Sequence, residues 1–206
     1  MDPLVSYEQF VLCFPQATNQ LQAERALKTA SGLVRAVAKQ TFTFVAQEAV
    51  ILRGNTRILV LPQRPAVVDD DNPLTVVELG DFGAINFAAV EGRDFVRTGN
   101  ELERGCPWWY TSRYQGWPHR DQPGLWAPRV QVTYSHGYRD DIPDELAGLV
   151  MDVAKALYDN PRGLRSFSTP EYSETYAKET LGATTVEGVK AQLAVMGYRQ
   201  GAFSIG

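Results

Sequence analysis

His119 and His136 are the only histidines, and Cys13 and Cys106 the only cysteines, so imidazole or thiolate chemistry would have to use these side chains. They do not cluster. No C-x₂-C pair is present, and a structural zinc site needs four convergent ligands. No metal and no cofactor is expected. Asp69, Asp70 and Asp71 form an acidic run. The alternating ligands, the glycine and the closing glutamate of a calcium loop are missing, so the run is expected to cap a turn ahead of Pro73. Ser135 and His136, with Asp140 and Asp141 downstream, have the residue types of a nucleophile, a base and an orienting acid. Adjacent strand residues point to opposite faces, and nothing in the sequence orients the imidazole. A hydrogen-bonded structural histidine at a strand end is therefore expected. With no G-x-S-x-G elbow, Walker loop or G-x-G-x-x-G turn, no catalytic residue is assigned.

The segment 104–128 is the most unusual. It holds all 4 tryptophans of the chain, Trp108, Trp109, Trp117 and Trp126, together with Tyr110 and Tyr114. Pro107, Pro118, Pro123 and Pro128, with Gly105, Gly116 and Gly124, interrupt it too often for a regular helix or a central strand. Two roles fit. Trp108, Trp109, Tyr110, Trp117 and Trp126 form a contact loop, because such residues dominate interface energetics, or the loop folds back over the apolar face of a sheet. Stacking of single-stranded bases between these rings and nearby arginines is disfavoured by an acidic chain, with Lys+Arg 20 against Asp+Glu 24.

The surrounding pattern sets the elements. The 206 residues are 44% hydrophobic and 21% charged, enough apolar content for a core, with a net charge of −4. No stretch is apolar enough to cross a membrane. The opening Met-Asp-Pro lacks the regions of a signal peptide, so free thiols and synthesis in a reducing compartment are expected. Leu21, Ala23, Leu27, Ala30, Val34 and Val37 follow helical spacing behind a capping box of Asn19 and Gln22, with Gly32 as a point of close packing. Val130, Val132 and Tyr134 alternate with polar residues as a strand does. Residues 74–79 form another strand. Hairpins are expected about Arg53-Gly54-Asn55 and about Gly99-Asn100. Pro143 opens a helix whose apolar stripe is Leu146, Leu149, Val150, Val153 and Leu157, and Asn160-Pro161 stops it. A last helix starts near Thr184 and meets Gly197. The expected fold is α+β: a helical core from residues 1–41 and 139–198, a β-rich insert over 42–138, and a tail over 199–206.

Several runs, taken in order, resemble a known family. They are Ala30–Arg35, Leu61–Pro65, Val130–Tyr138, Ile142–Leu146, Asn160–Ser166 and Glu171–Tyr176. Together they look like head–tail connector (adaptor) proteins of long-tailed bacteriophages, particularly members from actinobacterial phages. The aromatic segment departs from the short glycine-rich turn of that family. The resemblance implies a helical connector core of one long N-terminal and two C-terminal helices. It also implies a structural virion protein of the neck, made in the host cytoplasm. Its partners would be the portal protein, the next neck or tail-completion protein, and copies of itself in a ring of about twelve. DNA would pass through without sequence-specific binding, and no membrane would be involved. Arg199, Phe203 and Ile205 of the tail would meet the portal. Tyr172, Glu174, Tyr176, Arg162 and Arg165 would lie at the subunit interface. A different neck or tail-completion protein, or a non-viral enzyme or binding module, are the other classes the sequence leaves open.

Overall fold

The computed structural model describes residues 2–80, 86–105, 124–161, 166–169, 172–175 and 186–198. In chain order its elements are α1 (Tyr7–Cys13), α2 (Gln20–Ala38), β1 (Val45–Arg53), β2 (Ile58–Val60), β3 (Ala66–Val67), β4 (Thr75–Glu78), β5 (Phe87–Ala89), β6 (Phe95–Thr98), β7 (Glu101–Arg104), β8 (Arg129–His136), α3 (Asp144–Asp159), β9 (Ser166–Thr169), β10 (Tyr172–Thr175) and α4 (Val186–Val195). The protein is thus a mixed α+β chain. It divides into two compact units, Met1–Thr41 with Asp141–Gly206, and Phe42–Asp140.

In the first unit, α1 begins with a reciprocal cap: Gln9 N donates to Ser6 Oγ at 3.2 Å, and Ser6 N donates to Gln9 Oε1 at 3.0 Å. The box expected at α2 is only half made. Asn19 Oδ1 accepts from Gln22 N at 3.2 Å, but the Gln22 side chain turns away and donates to the Tyr158 carbonyl at 2.8 Å. Ala23, Leu27, Ala30 and Val34 are buried as their spacing requires, whereas Leu21 at the head of that stripe is 79% exposed. Gly32 is not a close-packing point, because a Cβ there would meet no atom within 4 Å. Pro143 caps α3 without a side-chain bond, and Leu146, Leu149, Val150 and Val153 are buried along a helix that packs on α2. Asn160 closes it with its N–H on Ala156 O. Val189 and Leu193 of α4 are buried, and Gly197 takes φ +76° just beyond. This part is not purely helical: β9 and β10 pair antiparallel, from Tyr172 with Thr169 to Thr175 with Ser166.

In the second unit β8 is central. It pairs with β1 on one side and with β3 and β4 on the other, and β5 extends the sheet beyond β4, all antiparallel. Val130, Val132 and Tyr134 are fully buried. A second sheet, β2-β7-β6, supplies Leu59, Leu102 and Phe95 to the same core, joined by Leu61, Val76 and Trp126. The β6–β7 hairpin turns through Gly99, φ +59°, and Asn100. By contrast, Arg53-Gly54-Asn55 does not close a hairpin, since β1 and β2 belong to different sheets. Gly54 N donates to Pro128 O and Asn55 N to Trp126 O, each at 3.0 Å, so the chain runs on beside the segment that enters β8.

Candidate functional site

The most concentrated chemistry among the described residues lies where the chain leaves β7 and returns toward β8. Arg104, two residues after buried Leu102, shares its inward face and is itself buried. Its Nη2 lies 3.2 Å from Glu78 Oε2, and its Nη1 donates to the Asp94 carbonyl. The guanidinium sits 5.3 Å from the Trp126 ring centre and 6.0 Å from that of Phe87. The other Glu78 oxygen, Oε1, accepts from Ala127 N at 3.1 Å. Gly105 N donates to Asp94 O at 3.2 Å. Asp94 Oδ2 accepts from Arg93 and from Val90 N at 2.9 Å. Burial raises the Asp94 pKa, but the Arg93 and Val90 hydrogen bonds and the charges of Arg93 and Arg104 outweigh it. The carboxyl is held below its ordinary range. These groups form an ion-paired buckle.

Trp126 corrects the contact-loop assignment at that residue. It is fully buried, its Nε1 donates to the Leu102 carbonyl at 3.1 Å, and its ring lies 5.6 Å from Phe95. An indole with a satisfied N–H and apolar neighbours belongs to the sheet core. Trp108, Trp109, Tyr110 and Trp117 lie outside the described residues.

His136 ends β8, fully buried, with Nε2 2.6 Å from Glu48 Oε2 and Nδ1 without a hydrogen-bond partner among the described residues. Ser135 Oγ does not meet the imidazole: it accepts from Gln47 N at 2.9 Å and donates to Asn72 Oδ1 at 3.0 Å. The serine and histidine therefore serve separate structural bonds. Nearby Tyr134 is pushed up to about 12, because burial disfavours the phenolate more than the hydrogen bond from Gln63 N favours it, and the Glu48 charge adds a smaller push in the same direction as burial. In the acidic turn Asp69 Oδ1 accepts from Asn72 N at 2.9 Å and Asn72 Nδ2 at 2.7 Å, while Oδ2 accepts from Arg139 at 2.7 Å. That is the turn-capping role expected of it. Among the described residues no cluster of His, Cys, Asp and Glu fits a metal ion.

Surfaces remain. On the helical unit Leu12, Leu21 and Val195 are 82%, 79% and 90% exposed. Leu21, Arg25, Leu157 and Pro161 line an open groove of about 510 Å³ between the start of α2 and the end of α3. Tyr172 and Glu174 stand in β10, in register with Thr169 and Phe167. Arg162, Arg165, Tyr176, Arg199, Phe203 and Ile205 lie outside the described residues. Sequence reasoning missed the Glu78–Arg104 pair. The period-2 step from Leu102 to Arg104 signals a buried cation, but nothing local names its partner.

No family model matches the chain, and no curated protein matches it. Among solved structures, a chain from the neck of an empty gene transfer agent (GTA) particle with C6 symmetry is similar at 14% identity and a TM-score of 0.45, over 98% of this chain and 93% of that one. A chain from the neck of the native GTA particle with C12 symmetry is similar at 14% identity and 0.45, over 100% and 97%. A chain of the native GTA virion gives 14% and 0.44, over 92% and 82%.

Proposed function

We propose that the protein is a head–tail connector of a phage-like particle: a neck protein that assembles as a ring of about twelve copies below the portal and continues the DNA channel. One observation carries this reading. Three of the runs that resemble connectors coincide with described elements that define the fold. Val130–Tyr138 covers most of the central strand and its exit, Ile142–Leu146 the start of α3, and Asn160-Pro161 its end. A net charge of −4 per copy suits a conduit, because a basic lumen would retain passing DNA. The tail, with Phe203 and Ile205 two residues apart, is the portal anchor, and the segment around Tyr172, Glu174 and Tyr176 contributes to contacts between copies.

The test is to mix the purified chain with the portal protein of the same particle and examine the product by sedimentation and electron microscopy. Rings of this chain coaxial with the portal are expected. A chain that never co-sediments with portal, at any concentration or order of mixing, would overturn the reading.

A further inference from the structure

β1 is an edge strand: β8 pairs with one side of it, and among the described residues no strand pairs with the other. The hydrogen-bond parity tells which backbone groups that edge offers. Gly54 N donates to Pro128 O at 3.0 Å at the end of the β1–β8 ladder. Alternate pairs of an antiparallel ladder exchange bonds, so Leu52↔Val130, Val50↔Val132 and Glu48↔Tyr134 are the bonded pairs. The far side of β8 gives the same parity. Leu79 N donates to Arg129 O at 2.9 Å, which leaves Val130, Val132 and Tyr134 facing β1. The N–H and C=O groups of Ala49, Ile51 and Arg53 therefore point off the sheet.

This edge lacks the usual guards. Ala49–Arg53 contains no proline and no lysine, and Ile51 is 60% exposed. The one irregularity, a register shift between Val45 and Glu48 with Gln47 at φ +49°, lies at the other end of the strand. Five regular residues remain, about 16 Å of open ladder.

A second element also has open strand edges: among the described residues β9 and β10 pair with each other and with no third strand, and a two-stranded ribbon alone is marginal in water. Charge favours joining the two. Glu174 is the only charged residue of β9 and β10, and Arg53 is the only one of Ala49–Arg53. Arg53, at the end of the open ladder, offers a cation to an added carboxylate.

We propose that β10 of a second copy adds to the open edge of β1, so that each copy's five-stranded sheet is extended by its neighbour's hairpin. The contact joins two different surfaces, and repeated by rotation it closes a ring. It is strand addition, with backbone bonds supplying the adhesion and Ile51 and Arg53 the selectivity. The inference rests on the ring reading above and names the contact that builds the ring.

Two full-length chains test it, one carrying Ala49→Cys and one Ser173→Cys, each with Cys13→Ser and Cys106→Ser. They are mixed with and without portal, treated with a short bis-maleimide and weighed by native mass spectrometry. A cross-linked pair of the two chains is expected wherever assemblies larger than the monomer form. Adding Ile51→Lys to the first chain, an exposed change that leaves the fold intact, is expected to cut the yield about tenfold. Assemblies on portal without the cross-link, or a cross-link indifferent to Ile51→Lys, would overturn the edge contact and leave the ring reading standing. A cross-link inside one doubly substituted monomer would overturn it as well, because the edge would then be filled within the chain. Monomers alone under every condition would overturn both.

Discussion

The two oxygens of the Glu78 carboxylate reach the two ends of the aromatic segment: Oε2 meets Arg104 as the chain leaves β7, and Oε1 meets Ala127 N as it returns to β8. Both side chains of the ion pair are almost withdrawn from solvent, at 4% for Arg104 and 11% for Glu78. A buried pair adds little over an apolar replacement of both partners, but removing one strands the other charge. Glu78→Ala is therefore expected to cost about 3–5 kcal/mol of unfolding free energy. Replacing both, by Glu78→Leu with Arg104→Met, should recover most of that loss. Chemical denaturation of the three variants checks it, and an additive double variant would contradict the coupling.

Trp126 should report separately from the other tryptophans. With Trp108, Trp109 and Trp117 changed to Phe, the remaining indole is buried against Phe95 with its N–H satisfied. Its emission is expected to be blue-shifted and protected from acrylamide in the free protein, with no change on assembly. Assembly-dependent shifts in the unmodified chain would then belong to the other three. Trp126→Ala should cost about 3–5 kcal/mol through the cavity it leaves.

Much of the fold was legible where a local pattern dictates it. The helical spacing of Ala23 to Val34, the alternation of Val130 to Tyr134 and the Gly99-Asn100 turn each need only neighbouring residues. Partners distant in sequence were not legible. The Gly54 turn reads as a hairpin until its N–H is seen on Pro128 O, and Trp126 reads as part of a contact loop until its Nε1 is seen on Leu102 O. Leu21 fits the apolar stripe by spacing, yet it stands in the first turn of α2 and is exposed among the described residues. Of the candidate site, Arg104 was half visible through its two-residue step from Leu102, and Glu78 was not visible at all.

Gly32 offers a clean stabilisation. It is exposed within α2, and a Cβ there meets nothing within 4 Å. Gly32→Ala removes only the backbone freedom of the unfolded chain and should stabilise by about 0.5–1 kcal/mol. Gly137→Ala should do the reverse. Its φ is +89°, and a Cβ would come within 2.3 Å of Thr43 O. A thermal melt of the two variants should show shifts of opposite sign.

Acid should weaken the fold through Asp94. Its folded pKa lies below the unfolded value of about 3.9, so ionisation favours the folded state above that value. The contribution is fully present at neutral pH and is lost as the pH falls through the folded pKa. Urea midpoints should be flat from pH 7 to about 5 and decline below about 4. In Asp94→Asn the decline should be shallower, starting from a lower plateau. An unchanged slope would assign the acid sensitivity elsewhere.

Truncation after Tyr198 should separate folding from attachment. Tyr198 N donates to Leu193 O at 3.0 Å, and its carbonyl accepts from Gln40 Nε2 at 3.3 Å, so the shortened chain keeps the bonds that close α4 and tie it beside the end of α2. Its melting temperature is expected to match that of the full chain. The removed residues include Phe203 and Ile205, two apart and so on one side of any strand the tail forms on a partner's sheet edge. Co-sedimentation with portal should therefore fall by at least about tenfold, as expected when two buried apolar side chains and their backbone bonds are lost. A Phe203→Ser, Ile205→Ser pair in the full chain should show the same loss, which excludes an effect of length alone. Undiminished binding by both would remove the tail as the anchor and move the portal contact to the exposed Leu12, Leu21 and Val195 of the helices.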